Sequence, residues 1–247
     1  MPKPEHEPGG PGVFATTHWS VVLAARGGGR SSASEEALNK LCQTYWYPLY
    51  AYIRRRGWDE HQAQDLTQEF FARLLQRDDS LRADPQRGKF RFYLLGALKH
   101  FLADAHDHAT ALKRGGGCVL VSFDEHTAEE RYQLEPVDEA SPEKLFERRW
   151  ALTLLDAALS RLRAEYAAAG KSQIYDHLEP FLSDTDSAKT YQDSARELGL
   201  SESAVKSAIH RLRRRHRELV REEIAHTVTN ASEVEEEIRH LIGVMSR

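Results

Sequence analysis

The chain has 247 residues, 40% of them hydrophobic and 29% charged, with a formal net charge of −4. That length holds one large domain or two small ones, and no stretch approaches the ~18 consecutive apolar residues of a membrane span. The opening MPKPEHEPGGPGV lacks the apolar core of a secretion signal. The two cysteines, Cys42 and Cys118, fit neither a zinc pattern nor a disulfide framework, so the expectation is a cytoplasmic protein.

In chain order, residues 1–32 read as a mostly disordered lead-in, rich in Pro and Gly. SEEALNKLCQTYWYPLYAYIRRRG then sets Leu38, Leu41, Cys42, Tyr45, Leu49, Tyr52 and Ile53 at three- and four-residue spacing, which predicts a helix ending at Gly57. Pro48 lacks the N–H that a helix interior needs and is expected to kink or split it. DEHQAQDLTQEFFARLLQR follows, with Asp59 as N-cap and the stripe Ala63, Leu66, Phe70 and Leu74, backed by Phe71 and Leu75. GKFRFYLLGALKHFLADAHDHATALKR carries two stripes: Phe90, Leu94, Ala97 and Phe101 on one side, Phe92, Leu95 and Leu102 roughly opposite. A helix apolar on both sides is either sandwiched or offers its second side to a ligand.

Periodicity lapses from residue 115. Three glycines, two prolines and dense acids predict a linker, with a short extended piece at CVLVSF. Helices resume at PEKLFERRWALTLLDAALSRLRAEYAAAG, followed by SQIYDHLEPFL and a closing SEVEEEIRHLIGVM, in which Ser232 and Glu235 are spaced as a capping box. Before that closing segment stands TYQDSARELGLSESAVKSAIHRLRRR. Thr190 and Asp193 predict the start of one helix, Gly199 a left-handed end to it, and Ser201 the cap of a second. A small Ala195, the turn Gly199 and an aliphatic Val205 come in the order that a helix-turn-helix requires. Val205, Ile209, Leu212 and Leu219 form the buried stripe of the second helix. Lys206, His210, Arg211, Arg213, Arg214 and Arg217 fall away from it.

Charge is segregated along the chain. Residues 87–114 carry six Lys/Arg against two Asp, and residues 205–221 seven against one Glu. Residues 115–143 hold eight Asp/Glu against a single Arg, and the stretch after 221 is acidic again. Screening limits electrostatic reach to ~8 Å at physiological salt, so these local fields, not the total, decide where a phosphate backbone docks.

With both basic segments and the DLTQEFF stretch upstream in place, the chain resembles bacterial sigma-70 family RNA polymerase sigma factors of the small extracytoplasmic-function type, over about residues 35–225. The resemblance implies an all-α protein of two helical domains: a sigma-2-like helical bundle at 33–114 and a sigma-4-like helix-turn-helix domain at 143–227. An acidic flexible linker at 115–142 would join them, and 228–247 would add a C-terminal helical tail that either packs on sigma-4 or binds a regulator. It implies binding of core RNA polymerase at its clamp helices and flap, and of promoter DNA as duplex and as melted strand, with an anti-sigma or other regulatory protein as a further partner. No cofactor, metal, membrane contact or catalytic activity is expected.

By position, Asp65, Gln68, Glu69, Phe71 and Arg73 would face the polymerase clamp. Lys89, Arg91, Lys99, Lys113 and Arg114 would meet phosphate at the −10 element. Phe92, Tyr93 and His100 would stack on unpaired bases, a contact of roughly 1–3 kcal/mol each, although core packing is an equal reading for Phe92 and Tyr93. In the second helix of the pair, Ser203, Lys206, Ser207, His210 and Arg211 are placed to read −35 bases, with Arg213 and Arg214 beside them. Two other readings exist. One is a stand-alone helix-turn-helix regulator, which leaves DLTQEFFARLL and the aromatic basic helix unexplained. The other, remote, is a metal-dependent enzyme using His100, Asp104, His106 and His108, without any HExxH, phosphate loop or nucleophile motif to support it.

Overall fold

The structure, a computed structural model, describes residues 17–26, 32–75, 89–108, 125–135, 141–182 and 190–246. Among them there are helices and turns and no strand, the expected all-α architecture. The chain divides into two compact units. Unit 1 comprises Met1–Thr153 and Ile224–Arg247, and unit 2 comprises Leu154–Glu223.

Unit 1 is built on α1 (His18–Arg26), α2 (Ser32–Arg55), α3 (Glu60–Leu75), α4 (Phe90–His108), α5 (Glu125–Gln133), the first part of α6 (Pro142–Ala168) and α10 (Val234–Met245). Its core follows the predicted stripes. Leu41, Tyr45, Leu49, Tyr52 and Ile53 of α2, Ala63, Phe70 and Leu74 of α3, and Phe90, Leu94 and Phe101 of α4 are all buried. α2 runs on through Pro48, so the proline does not split it. Gly57, at φ +97°, ends the turn that follows, a backbone region that other residues rarely adopt.

Three features of the structure bear on the expected organisation. Within the lead-in, α1 is a helix whose His18, Trp19, Val21 and Val22 are buried. Trp19 meets the ring of Phe90 edge-on at 5.1 Å, and apolar burial of that size outweighs a Pro/Gly-rich prelude. Within the acidic linker, α5 forms because Glu129 and Glu135 find buried partners. Arg54 donates to Glu129 at 2.7 Å and the Tyr50 hydroxyl donates to it as well. Tyr47 donates to Glu135 at 2.8 Å, and Arg149 pairs with it. Burial alone pushes the Glu129 carboxyl up, but the bonds from Arg54 and Tyr50 hold it below the ordinary carboxylate range. Third, the C-terminal tail and the start of α6 belong to unit 1, not to the helix-turn-helix unit. The capping box of the tail is Asn230 with Glu233, two residues before the predicted pair. The extended piece at CVLVSF lies outside the described residues.

Unit 2 contains the rest of α6, α7 (Ser172–Leu178) with a 3-10 turn at Glu179–Phe181, α8 (Tyr191–Leu198) and most of α9 (Glu202–Ala225). Leu162, Tyr175, Leu178, Phe181, Ala195, Val205, Ile209 and Leu212 close a single core. Two arginines lace its outside. Arg215 reaches Glu165 at 2.7 Å and also meets Glu218 and Glu222, while Arg161 bonds Glu222 at 2.6 Å and Glu223 at 2.7 Å.

Candidate nucleic-acid interface

In unit 2 the sequence rules act as read. The Thr190 side chain accepts from the Asp193 N–H, and Asp193 answers to the Thr190 backbone, closing the capping box. Gly199 takes φ +64° and ψ +30°, and the Leu200 N–H donates to the Ala195 carbonyl at 2.9 Å, the left-handed stop that frees the chain to turn. Ser201 Oγ accepts from the Ala204 N–H at 3.2 Å and starts α9. Val205, Ile209 and Leu212 are drawn into the core, so Ser203, Lys206, Ser207, His210 and Arg211 are left exposed together along the first turns of α9. Lys206 also lies 5.6 Å from the centre of the Tyr191 ring, which is stacked on Phe181. Arg214 is exposed. Arg213 is not free in the same way: its Nε donates to the Phe181 carbonyl at 2.9 Å and ties α9 to the 3-10 turn.

In unit 1 the expected residues separate into exposed and engaged groups. On α3, Asp65 and Glu69 are exposed and Gln68 is half-buried, while Glu69 pairs with Arg73 at 2.6 Å. Phe71 is buried, so it packs beneath the surface that Asp65 and Glu69 expose and is not part of it. Arg73 spreads over the Phe101 ring at 5.0 Å.

On α4, Phe92 is 51% exposed and His100 is exposed, both open to a ligand. Tyr93 is half-buried, with its ring packed 4.8 Å from that of Trp19 on α1. Arg91 is enclosed. It is 1% exposed, its guanidinium held by Glu237 of α10 and by Glu147 of α6 at 3.2 Å, and it lies between the rings of Phe92 and Trp150 at 4.3 and 4.7 Å. Burial lowers its pKa and the Glu147 carboxylate opposes that shift. A side chain so enclosed does not meet phosphate in this conformation. Lys89 sits 2.5 Å from Glu237 and 2.9 Å from Glu236, and Lys99 sits 2.8 Å from Glu143. Periodicity could not show these pairs, because the carboxylates lie on α6 and α10, far along the chain. Lys113 and Arg114 lie outside the described residues, as do the side chains of His106 and His108. Among the described residues no group of three or more His, Cys, Asp or Glu side chains could hold a metal ion. No helix among them is long and apolar enough to cross a membrane.

Comparison with known proteins bears on the same elements. The family Sigma-70 region 2 matches residues 41–110, which takes in most of α2 and all of α3 and α4. The chain is also similar to the ECF RNA polymerase sigma factor SigX of Bacillus subtilis (strain 168), at 27% identity over 193 residues, covering 77% of this chain and 88% of that protein. No solved structure matches. In its region 2 match on the α2–α4 bundle, in similarity that runs on through most of the chain, and in its helix-turn-helix downstream, the chain is similar to sigma-70 family sigma factors of the extracytoplasmic-function type.

Proposed function

We propose that the protein binds core RNA polymerase and directs it to promoters, where it recognises two DNA elements and opens the duplex. The observation that carries this reading is the region 2 match over residues 41–110. The helix-turn-helix downstream, whose exposed side chains on α9 have the size and chemistry of base and phosphate contacts, supports it. In this reading Asp65, Gln68 and Glu69 of α3 meet the polymerase clamp, with Arg73 holding Glu69. Phe92, Lys99 and His100 of α4 meet the −10 element, with Phe92 and His100 offering rings to unpaired bases. Lys206, His210 and Arg211, with Ser203 and Ser207, enter the major groove at the −35 element, and Arg214 meets the backbone. The protein contributes no bond-making step of its own and works beside the polymerase, in the cytoplasm. An anti-sigma protein is the natural class of restraint, acting on one of these surfaces.

Run-off transcription by purified bacterial core polymerase on fragmented genomic DNA, with and without this protein, tests the reading. Discrete new transcripts whose start sites share two upstream elements are expected. Duplex binding without any transcript or any association with core polymerase would replace the proposal with a stand-alone helix-turn-helix regulator.

A further inference from the structure

On α4 and at the residue just before it, each of the three Lys and Arg side chains within the described residues, Lys89, Arg91 and Lys99, is matched by a carboxylate from far along the chain. Arg91 is the interior case, closed in by Glu237, Glu147 and two aromatic rings. Lys89 and Lys99 differ in kind. Lys89 keeps the buried Glu237 on one side, but its second partner, Glu236, is 63% exposed, and Glu236 is the residue that faces solvent. Lys99 and Glu143 are both well exposed, at 47% and 41%, and the Tyr52 hydroxyl donates to the same carboxylate at 3.4 Å. The bond from Lys99 holds the Glu143 carboxyl below the ordinary range, so it is an anion at neutral pH. Buried pairs with one partner removed are costly, whereas exposed pairs exchange partners with little loss. The Arg91–Glu237 pair therefore holds α10 in place, and the outer carboxylates are the replaceable ones.

We propose that Glu143 and Glu236 act as built-in stand-ins for DNA phosphate, occupying Lys99 and Lys89 in the free protein and yielding them when a nucleic-acid backbone arrives. The device rests on α4 being the promoter-facing helix, as proposed above. It makes the free chain a weak binder of nucleic acid in general. Only a strand held against α4 by other contacts, such as those made by polymerase and by the helix-turn-helix, displaces both carboxylates together.

The test uses the full chain and a fluorescent single-stranded DNA oligonucleotide of mixed sequence, titrated over a range of salt concentrations. Glu143→Gln/Glu236→Gln removes both stand-ins at exposed positions. Glu35→Gln/Glu130→Gln removes the same charge elsewhere and corrects for net charge. The first variant is expected to bind about tenfold more tightly at low salt, with the slope of log affinity against log salt steeper by roughly 0.7 for each lysine released. Adding Lys89→Gln/Lys99→Gln should abolish that gain. If the glutamate variant matches the wild type while the lysine variant alone weakens binding, the masking is overturned and the contact by α4 stands. A gain that survives neutralising the lysines, or that equals that of the charge control, also overturns it. If neither the glutamates nor the lysines matter, the assignment of α4 as promoter-facing fails and takes the masking with it.

Discussion

Arg91 and Glu237 stand 146 positions apart and form a buried ion pair, 1% and 0% exposed, in the interior of unit 1. Removing one member leaves the other buried with a single remaining partner, Glu147 for Arg91 or Lys89 for Glu237, and breaking a buried pair in this way typically costs up to about 3–5 kcal/mol. Glu237→Ala should therefore lower the stability of unit 1 by about that much, read as a shift of the urea midpoint. Arg91→Met/Glu237→Met should lose less than the two single variants added together, since it removes both charges. Additive losses would mean the pair is not coupled.

A second prediction concerns acid. Burial, with the nearby charges of His226 and Lys40, holds the His18 pKa at about 3, against 6.5 for a free imidazole. The ring is packed edge-on against Tyr45 and Phe90, with Nδ1 3.3 Å from the Tyr45 hydroxyl. Folded His18 thus stays neutral where the unfolded chain takes up a proton. Stability is unaffected above pH 6.5 and falls as the pH drops from 6.5 toward 3, by about 1.4 kcal/mol per pH unit for one such proton. His216 of unit 2, also lowered by burial, acts in the same sense. His18→Gln should flatten the unfolding free energy between pH 6.5 and 5, above the range where carboxylates titrate. An unchanged slope there would remove His18 from the account.

The third prediction separates two neighbouring arginines. Arg211 is exposed on the face assigned to DNA, whereas the Arg213 guanidinium serves the Phe181 carbonyl. Arg211→Ala should leave thermal stability near the wild-type value and relax preference at one −35 base pair by roughly 1–3 kcal/mol if its contact is bidentate. Arg213→Ala should instead lower stability and weaken all promoters together. Selection of promoters from a randomised −35 library by each variant, with thermal melts alongside, distinguishes the two.

Gly199 supplies a fourth. A Cβ placed there would touch nothing within 4 Å, so the only penalty for Gly199→Ala is the left-handed backbone, about 1–2 kcal/mol. Gly199→Asn should cost less, because asparagine tolerates that conformation. Equal losses for the two, measured by chemical unfolding, would point to a different cause.

How much could be read beforehand follows from the range of the interactions involved. The turn between α8 and α9 is governed by contacts three to five residues apart, so Thr190, Asp193, Gly199 and Ser201 announce it directly. The stripes on α2 to α4 are legible for the same reason. α1 was hidden because its worth lies in Trp19 meeting Phe90, a contact across the chain that a short helix among glycines does not advertise. The enclosure of Arg91 is not legible in the sequence, because a basic residue in a basic block looks exposed until its acidic partners are known. Those partners, Glu147 and Glu237, lie on α6 and α10, 56 and 146 positions further along the chain.

The division of the chain also constrains how the protein is made. Unit 1 draws on both early and late residues: the His18 N–H donates to the His226 carbonyl at 2.8 Å, and Glu237 reaches back to Lys89 and Arg91. All of unit 2 lies between them in sequence. During synthesis the helix-turn-helix can therefore leave the ribosome with its core complete while the bundle of unit 1 still waits for α10. A message cut short after residue 223 would yield unit 2 with its core intact and unit 1 without α10.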